Sequence, residues 1–263
     1  MSAYVALFKA RLRMGLQYRA AALAGFGTQL FWGLIRLMIF DAFFRSSMTP
    51  QPITYQQTVD YLWLTQALLL ILPMRLEGEI QQMIRTGAVA YELARPTDLY
   101  WFWFFRSWAG RTASILLRAG PLYLIAWLFF GLKAPPSWAS AGAFLLSLFG
   151  ASALGCALTT LMTISLLWTI SGEGISRLLN ILAYVFSGSV VPLPFYPPWA
   201  QRVLNFLPFG GLMDTPFRLY SGHIPPQACW AAIGQQFAWT VALILLGRWI
   251  LARGLKRLVV QGG

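Results

Sequence analysis

Residues 76–105 read LEGEIQQMIRTGAVAYELARPTDLYWFWFF, a polar and helix-prone stretch set between apolar runs long enough to cross a bilayer. Everything around it is suited to lipid, so this is where a soluble partner would push. Glu77, Glu79, Gln81, Gln82 and Arg85 suit a water-exposed helix that Gly87 stops, with a second helix starting near Ala88. Arg95 and Pro96 predict a bend, and Tyr91, Leu93 and the aromatic run 100–105 are expected against the membrane interface. On these residues alone, a solvated connector competes with a contact surface.

Composition supports the membrane setting. Only 11% of the 263 residues are charged, against roughly 25% in soluble chains, while 58% are hydrophobic and mean hydropathy is +0.61. The net charge of +12 would suit nucleic acid, but its placement argues against that partner. Lys9, Arg11, Arg13 and Arg19 precede the first apolar run. Arg75, Arg85, Arg95, Arg106, Arg111 and Arg118 surround the polar stretch, and Arg248, Arg253, Lys256 and Arg257 gather at the end of the last run. This is the positive-inside pattern, and it places both termini in the cytoplasm.

The basic start does not fit a cleavable signal peptide. Tyr4, Val5, Phe8, Leu12 and Leu16 recur at helical spacing, with Lys9, Arg11 and Arg13 facing elsewhere, so residues 1–19 read as a basic amphipathic helix at the membrane surface. A plain positive anchor and a dedicated elbow helix both fit. Six spans follow, near 20–44, 59–74, 109–132, 139–170, 175–189 and 228–251, giving one all-α membrane domain over residues 1–263. The fourth span is rich in small residues (Ala151, Ser152, Ala153, Gly155, Ala157), which permit close helix approach. A short inner turn is expected at 171–174. Residues 190–227 are rich in proline yet apolar and aromatic, which fits re-entrant helices in the outer leaflet or an outer loop carrying aromatic-belt residues.

Little here supports catalysis. The chain lacks a GxxxxGK[ST] phosphate loop, and His223 is its sole histidine, which leaves no material for a metal site or a histidine relay. Ser187 and Ser189 have no base beside them in sequence and read as packing residues. Cys156 and Cys229 likewise read as packing residues rather than a disulfide framework. Catalytic, cofactor and metal residues are therefore all expected to be absent. Arg36 and Asp41 are the intramembrane charges to weigh, with a structural role and a role in substrate passage both open. No other clear buried acid is expected in the spans, and Asp60 is expected near the outer interface.

Two segments add a family likeness. QMIRTGAVAYELARPTDLYW (82–101) resembles the first cytoplasmic loop of ABC type-2 exporter permeases, where a helix precedes a G…L.RP segment. VVPLPFYPPWAQRVLNFLPFGGLMDTPFRLYSGHI (190–224) resembles the proline-rich segment between that family's last two spans. The resemblance implies an inner-membrane permease that is not itself an enzyme, paired with a second permease, identical or homologous. ATP and Mg would be held by a separate cytoplasmic ATP-binding subunit. It implies that the 76–108 loop docks on that subunit through Glu79, Gln82, Arg85 and Thr86, with Gly87, Arg95 and Pro96 shaping it. It also implies an outer gate involving Pro192, Pro194, Phe195, Trp199 and Phe209. The expected cargo is amphipathic or lipophilic. A secondary transporter, an intramembrane enzyme and a non-transport assembly protein are the competing classes.

Overall fold

The computed structural model describes residues 3–17, 19–73, 76, 78–169 and 173–256. Ser171, Gly172, Arg75, Glu77 and Arg257 lie outside them, and with them the first half of the expected inner turn. The described residues form eleven α-helices joined by turns and short 3-10 segments, with no strand among them. The helices are α1 (Ala3–Leu16), α2 (Arg19–Ser46), α3 (Tyr55–Ala67), α4 (Gly78–Arg85), α5 (Val89–Leu93), α6 (Leu99–Phe129), α7 (Trp138–Ser165), α8 (Glu173–Phe186), α9 (Pro198–Phe206), α10 (Asp214–Tyr220) and α11 (Cys229–Leu255).

Three segments are long and apolar enough to cross a membrane: α6 with 31 residues, α7 with 28, and α11 with its preceding turn, 30 in all. Of the other expected spans, α2 is 28 residues long, whereas α3 has 13 and α8 has 14. The second span is broken because α3 ends at Ala67 and a 3-10 turn, Leu69–Ile71, follows.

Among the three long segments α7 is the central one, with 56% of its most apolar stretch buried against 17% for α6 and 28% for α11. Its small residues explain this position. A Cβ on Gly155 would stand 2.5 Å from the Ile71 carbonyl oxygen, so only glycine admits that backbone contact. Gln236 of α11 ties α7 to α11, its amide donating to the carbonyls of Ser147 (3.2 Å) and Gly211 (2.6 Å).

Helix α6 starts ten residues before the expected third span, because the Asp98 carboxylate accepts the Trp101 N–H at 3.1 Å and caps it. The aromatic run therefore forms its first turns, and Tyr100, Phe102, Trp103 and Phe104 are buried in the core rather than spread along an interface. Helix α1 lies along α6. Its packed face carries Tyr4, Leu7, Phe8, Arg11, Leu12, Gly15 and Leu16, whereas Lys9 and Arg13 are exposed. Two residues depart from the sequence pattern: Val5 is exposed, and Arg11 joins the packed face because a carboxylate awaits it there.

The 190–227 region folds into α9, α10 and short 3-10 turns around one buried acid. Asp214 accepts from the Tyr61 hydroxyl (3.2 Å), the Leu193 N–H (3.2 Å) and Arg218 (3.0 Å), and its own N–H donates to the Ser187 carbonyl (3.0 Å). This corrects the expectation about buried acids. Among the described residues Asp60, Glu92 and Asp214 are the buried acids, Asp60 being held by Gln56 and the Lys133 N–H, both at 2.9 Å. Asp41 is half-exposed and pairs with Arg45 at 2.8 Å.

Candidate functional site

The polar stretch folds into two short helices that meet at Gly87, whose φ of +75° suits glycine at a helix stop. The Thr86 N–H and hydroxyl both bond the Gln82 carbonyl at 2.9 Å and close the last turn of α4. One side of this helical hairpin is anchored, with Ile80, Val89 and Glu92 buried. The other side is uncovered: Gln82, Arg85, Thr86, Tyr91, Arg95 and Pro96 are exposed, Tyr91 at 78%. Arg85 sits in the last turn of α4, where a cation complements the helix dipole. The Arg95 guanidinium lies 5.3 Å from the centre of the Phe102 ring, which ties the bend at Pro96 to α6.

Glu79 has a different role from its neighbours on α4. Its carboxylate accepts from Arg11 of α1 at 2.8 Å and from Arg106 of α6. Arg106, itself buried, also faces Glu92 of α5 at 3.5 Å, and Glu92 accepts the indole N–H of Trp103 at 2.7 Å. One chain of charges thus runs through α1, α4, α6 and α5. The α6 end is tied further, because the Asp98 N–H donates to the Tyr4 hydroxyl (3.0 Å) and Asp98 pairs with Arg248 of α11 (3.1 Å). Sequence reading found Glu79 but missed its partners Arg11 and Arg106, and Glu92 and Trp103 further along the network. The one available signal was two charges, Glu92 and Arg106, placed against an aromatic run.

The Arg11 hydrogen bond holds the Glu79 carboxyl below the ordinary glutamate range; slight burial opposes this and the Arg106 charge adds to it. A carboxyl depressed in the folded state contributes stability above its unfolded pKa and loses it as pH falls through the folded value. Because the Glu79 side chain is 60% exposed, the contribution is small, below about 1 kcal/mol. Acidification through and below that range is expected to loosen α1 from α4, read as faster amide hydrogen exchange in α1. Glu79→Gln is expected to show the looser state at neutral pH and no pH step. An unchanged step in that variant would remove Glu79 as its source.

The other candidate residues lie elsewhere. Arg36 does not meet Asp41; it reaches across to α8, donating to the Tyr184 hydroxyl at 2.9 Å and to the Ser189 carbonyl. It also lines a cavity of about 590 Å³ between α2 and α8. Pro192 leads into a 3-10 turn that buries Pro194, and Phe195 packs on Phe40, Phe43 and Phe44 of α2. Phe209 is buried against Phe186, while Trp199 on α9 is 72% exposed. His223 lies in the turn after α10, its pKa lowered by burial and then by the Arg218 charge. Cys156 and Cys229 are buried and not joined by a disulfide. Among the described residues no cluster of histidine, cysteine or acidic side chains is arranged to hold a metal.

Residues 30–262 match the family described as ABC-2 family transporter protein, which takes in α3 through α11 and leaves α1 outside the match. The chain belongs to the ABC-2 transporter family. No curated protein and no solved structure matches it. Members of this family are the transmembrane components of ABC transporters and work with an ATP-binding subunit, so the missing phosphate loop fits a permease.

Proposed function

We propose that the chain is the membrane-spanning half of an ABC exporter, driven through α4 and α5 by a separate cytoplasmic ATPase that holds the ATP and Mg. The observation that carries this reading is the two-sided hairpin. Gln82, Arg85, Thr86 and Tyr91 face outward, while Glu79 and Glu92 clamp the same hairpin to Arg11 and Arg106. A push on the outer side is passed to α1 and α6 through charges rather than through a loose loop. ATP acts only by favouring one of two permease states, so a stiff connection is what a coupling element needs.

In this reading α2, α3 and α8 complete six spans with α6, α7 and α11. Both termini face the cytoplasm, and the protein sits in the inner membrane with a second permease, identical or homologous. The exposed stripe of Trp199, Val203 and Phe206 on α9 supports a helix dipping into the outer leaflet beside the exit. The cargo is amphipathic.

Gentle purification in detergent is expected to recover a stoichiometric ATPase. Arg85→Glu is expected to lower cargo-stimulated ATP hydrolysis roughly tenfold, the scale of a reversed charge at an interface. Arg13→Glu, on the exposed side of α1, is expected to leave it unchanged. Recovery of a lone permease that moves cargo on an ion gradient in liposomes would overturn the proposal.

A further inference from the structure

A cavity of about 570 Å³ opens at the inner end of the bundle between α1, α6 and the 3-10 turn after α3. Four arginines line it: Arg11, Arg106, Arg111 and Arg118; among the described residues its lining includes no aspartate or glutamate. Arg11 and Arg106 are balanced by Glu79 and Glu92, which lie outside the lining. Arg111 is different. It is buried, and its bonds run to neutral acceptors: the Leu70 carbonyl (3.2 Å), Cys156 Sγ (2.9 Å) and Thr159 Oγ1 (2.8 Å). These bonds fix the guanidinium plane without neutralising its charge.

The rest of the lining suits an anion with an apolar body. Ser107, Arg111, Ser114 and Arg118 recur at helical spacing along α6, giving a polar stripe that runs from the inner surface into the membrane. Leu69, Leu72 and Met14 supply an apolar wall facing it. Arginine forks match phosphate oxygens in charge and geometry, whereas a cationic cargo would be repelled here.

We infer that this cavity binds a phosphate group on a molecule that carries no compensating cation, with Arg111 and Arg118 as its ligands and Ser107 and Ser114 as hydroxyl donors. The group comes either from a phospholipid of the inner leaflet or from a water-soluble phosphorylated compound. The inference goes beyond the ATPase contact and does not need it, because no exposed residue of α4 takes part.

The test uses the full chain in vesicles of equal phosphatidylglycerol and phosphatidylcholine, followed by extraction and native mass spectrometry of retained lipid. Retention of phosphatidylglycerol over phosphatidylcholine by roughly tenfold is expected, the scale of one charge-assisted hydrogen bond. Arg118→Gln is expected to reduce the preference to near parity. Gly110→Leu provides a second variant: Gly110 lines the cavity with nothing within 4 Å of an added Cβ, so leucine fills the space without removing an arginine. Arg13→Gln is expected to change nothing, which separates the cavity from general attraction of a basic surface. Displacement of the lipid by inorganic phosphate would assign the site to the phosphate group itself, and lipid that phosphate leaves in place would assign it to the membrane-borne headgroup. Equal retention of both lipids by the unaltered protein, or a preference untouched by both Arg118→Gln and Gly110→Leu, overturns the inference. Failure here leaves ATPase recovery and its sensitivity to Arg85→Glu unaffected, so the two proposals fail separately.

Discussion

Arg106→Leu is expected to destabilise the protein by about 3–5 kcal/mol, the cost of leaving one member of a buried ion pair without its partner. The member left behind is Glu92, which is 5% exposed and would keep the Trp103 indole N–H as its named donor. Loss of the Arg106 contact to Glu79 adds little, since Glu79 is largely exposed and a surface pair contributes about 0–1 kcal/mol. Glu92→Gln in the same background is expected to recover most of the loss. Glutamine removes the unpaired charge and still accepts from Trp103, so the penalty is a charge rather than a cavity. Chemical unfolding in mixed micelles reads both variants. If Arg106→Leu costs less than about 1 kcal/mol, the network does not hold the hairpin as described. If it costs the full amount and Glu92→Gln fails to help, packing rather than charge is lost.

The second large effect lies around buried Asp214. Gly188 has a φ of +87°, and a Cβ built on it would overlap the Tyr61 hydroxyl. Gly188→Ala is therefore expected to cost about 2–4 kcal/mol, from backbone strain and from displacing one donor of buried Asp214. Tyr61→Phe takes away the overlapping oxygen, leaving the ring carbon 3.3 Å from that Cβ, so the two substitutions together are expected to cost less than their sum. A coupling of about 1 kcal/mol or more in that double-mutant cycle supports the close approach. Strict additivity would sink it, because strain at φ alone is indifferent to residue 61.

Much of the hairpin was legible because its signals are local. Gly87 stops α4 where glycine has the backbone freedom to do so, and the polar run Glu79 to Arg85 lacks the apolar surface to bury a whole helix. The inward face of α1 was legible for the same reason at Tyr4, Phe8, Leu12 and Leu16. Arg11 was not, because its orientation depends on Glu79, 68 residues away. The start of α6 was missed because a small capping group, Asp98, outweighed the reading of the aromatic run as an interfacial belt. Asp214 was missed because its donors come from Tyr61, Leu193 and Arg218, and only Arg218 is near it in sequence.

The sequence by itself determined that the chain is an all-helical membrane protein with a polar helical hairpin and no nucleotide motif. Apolar length, charge placement and glycine position act within one or two turns of helix, so they can be read without a fold. Tertiary structure alone decided which charges meet. Glu79 joins Arg11 and Arg106, Arg36 turns to Tyr184 rather than Asp41, and Arg111 is held against neutral acceptors in an arginine-lined cavity. A buried charge is stabilised by whatever partner the packing brings within about 4 Å, and that partner is set by helices distant in the chain.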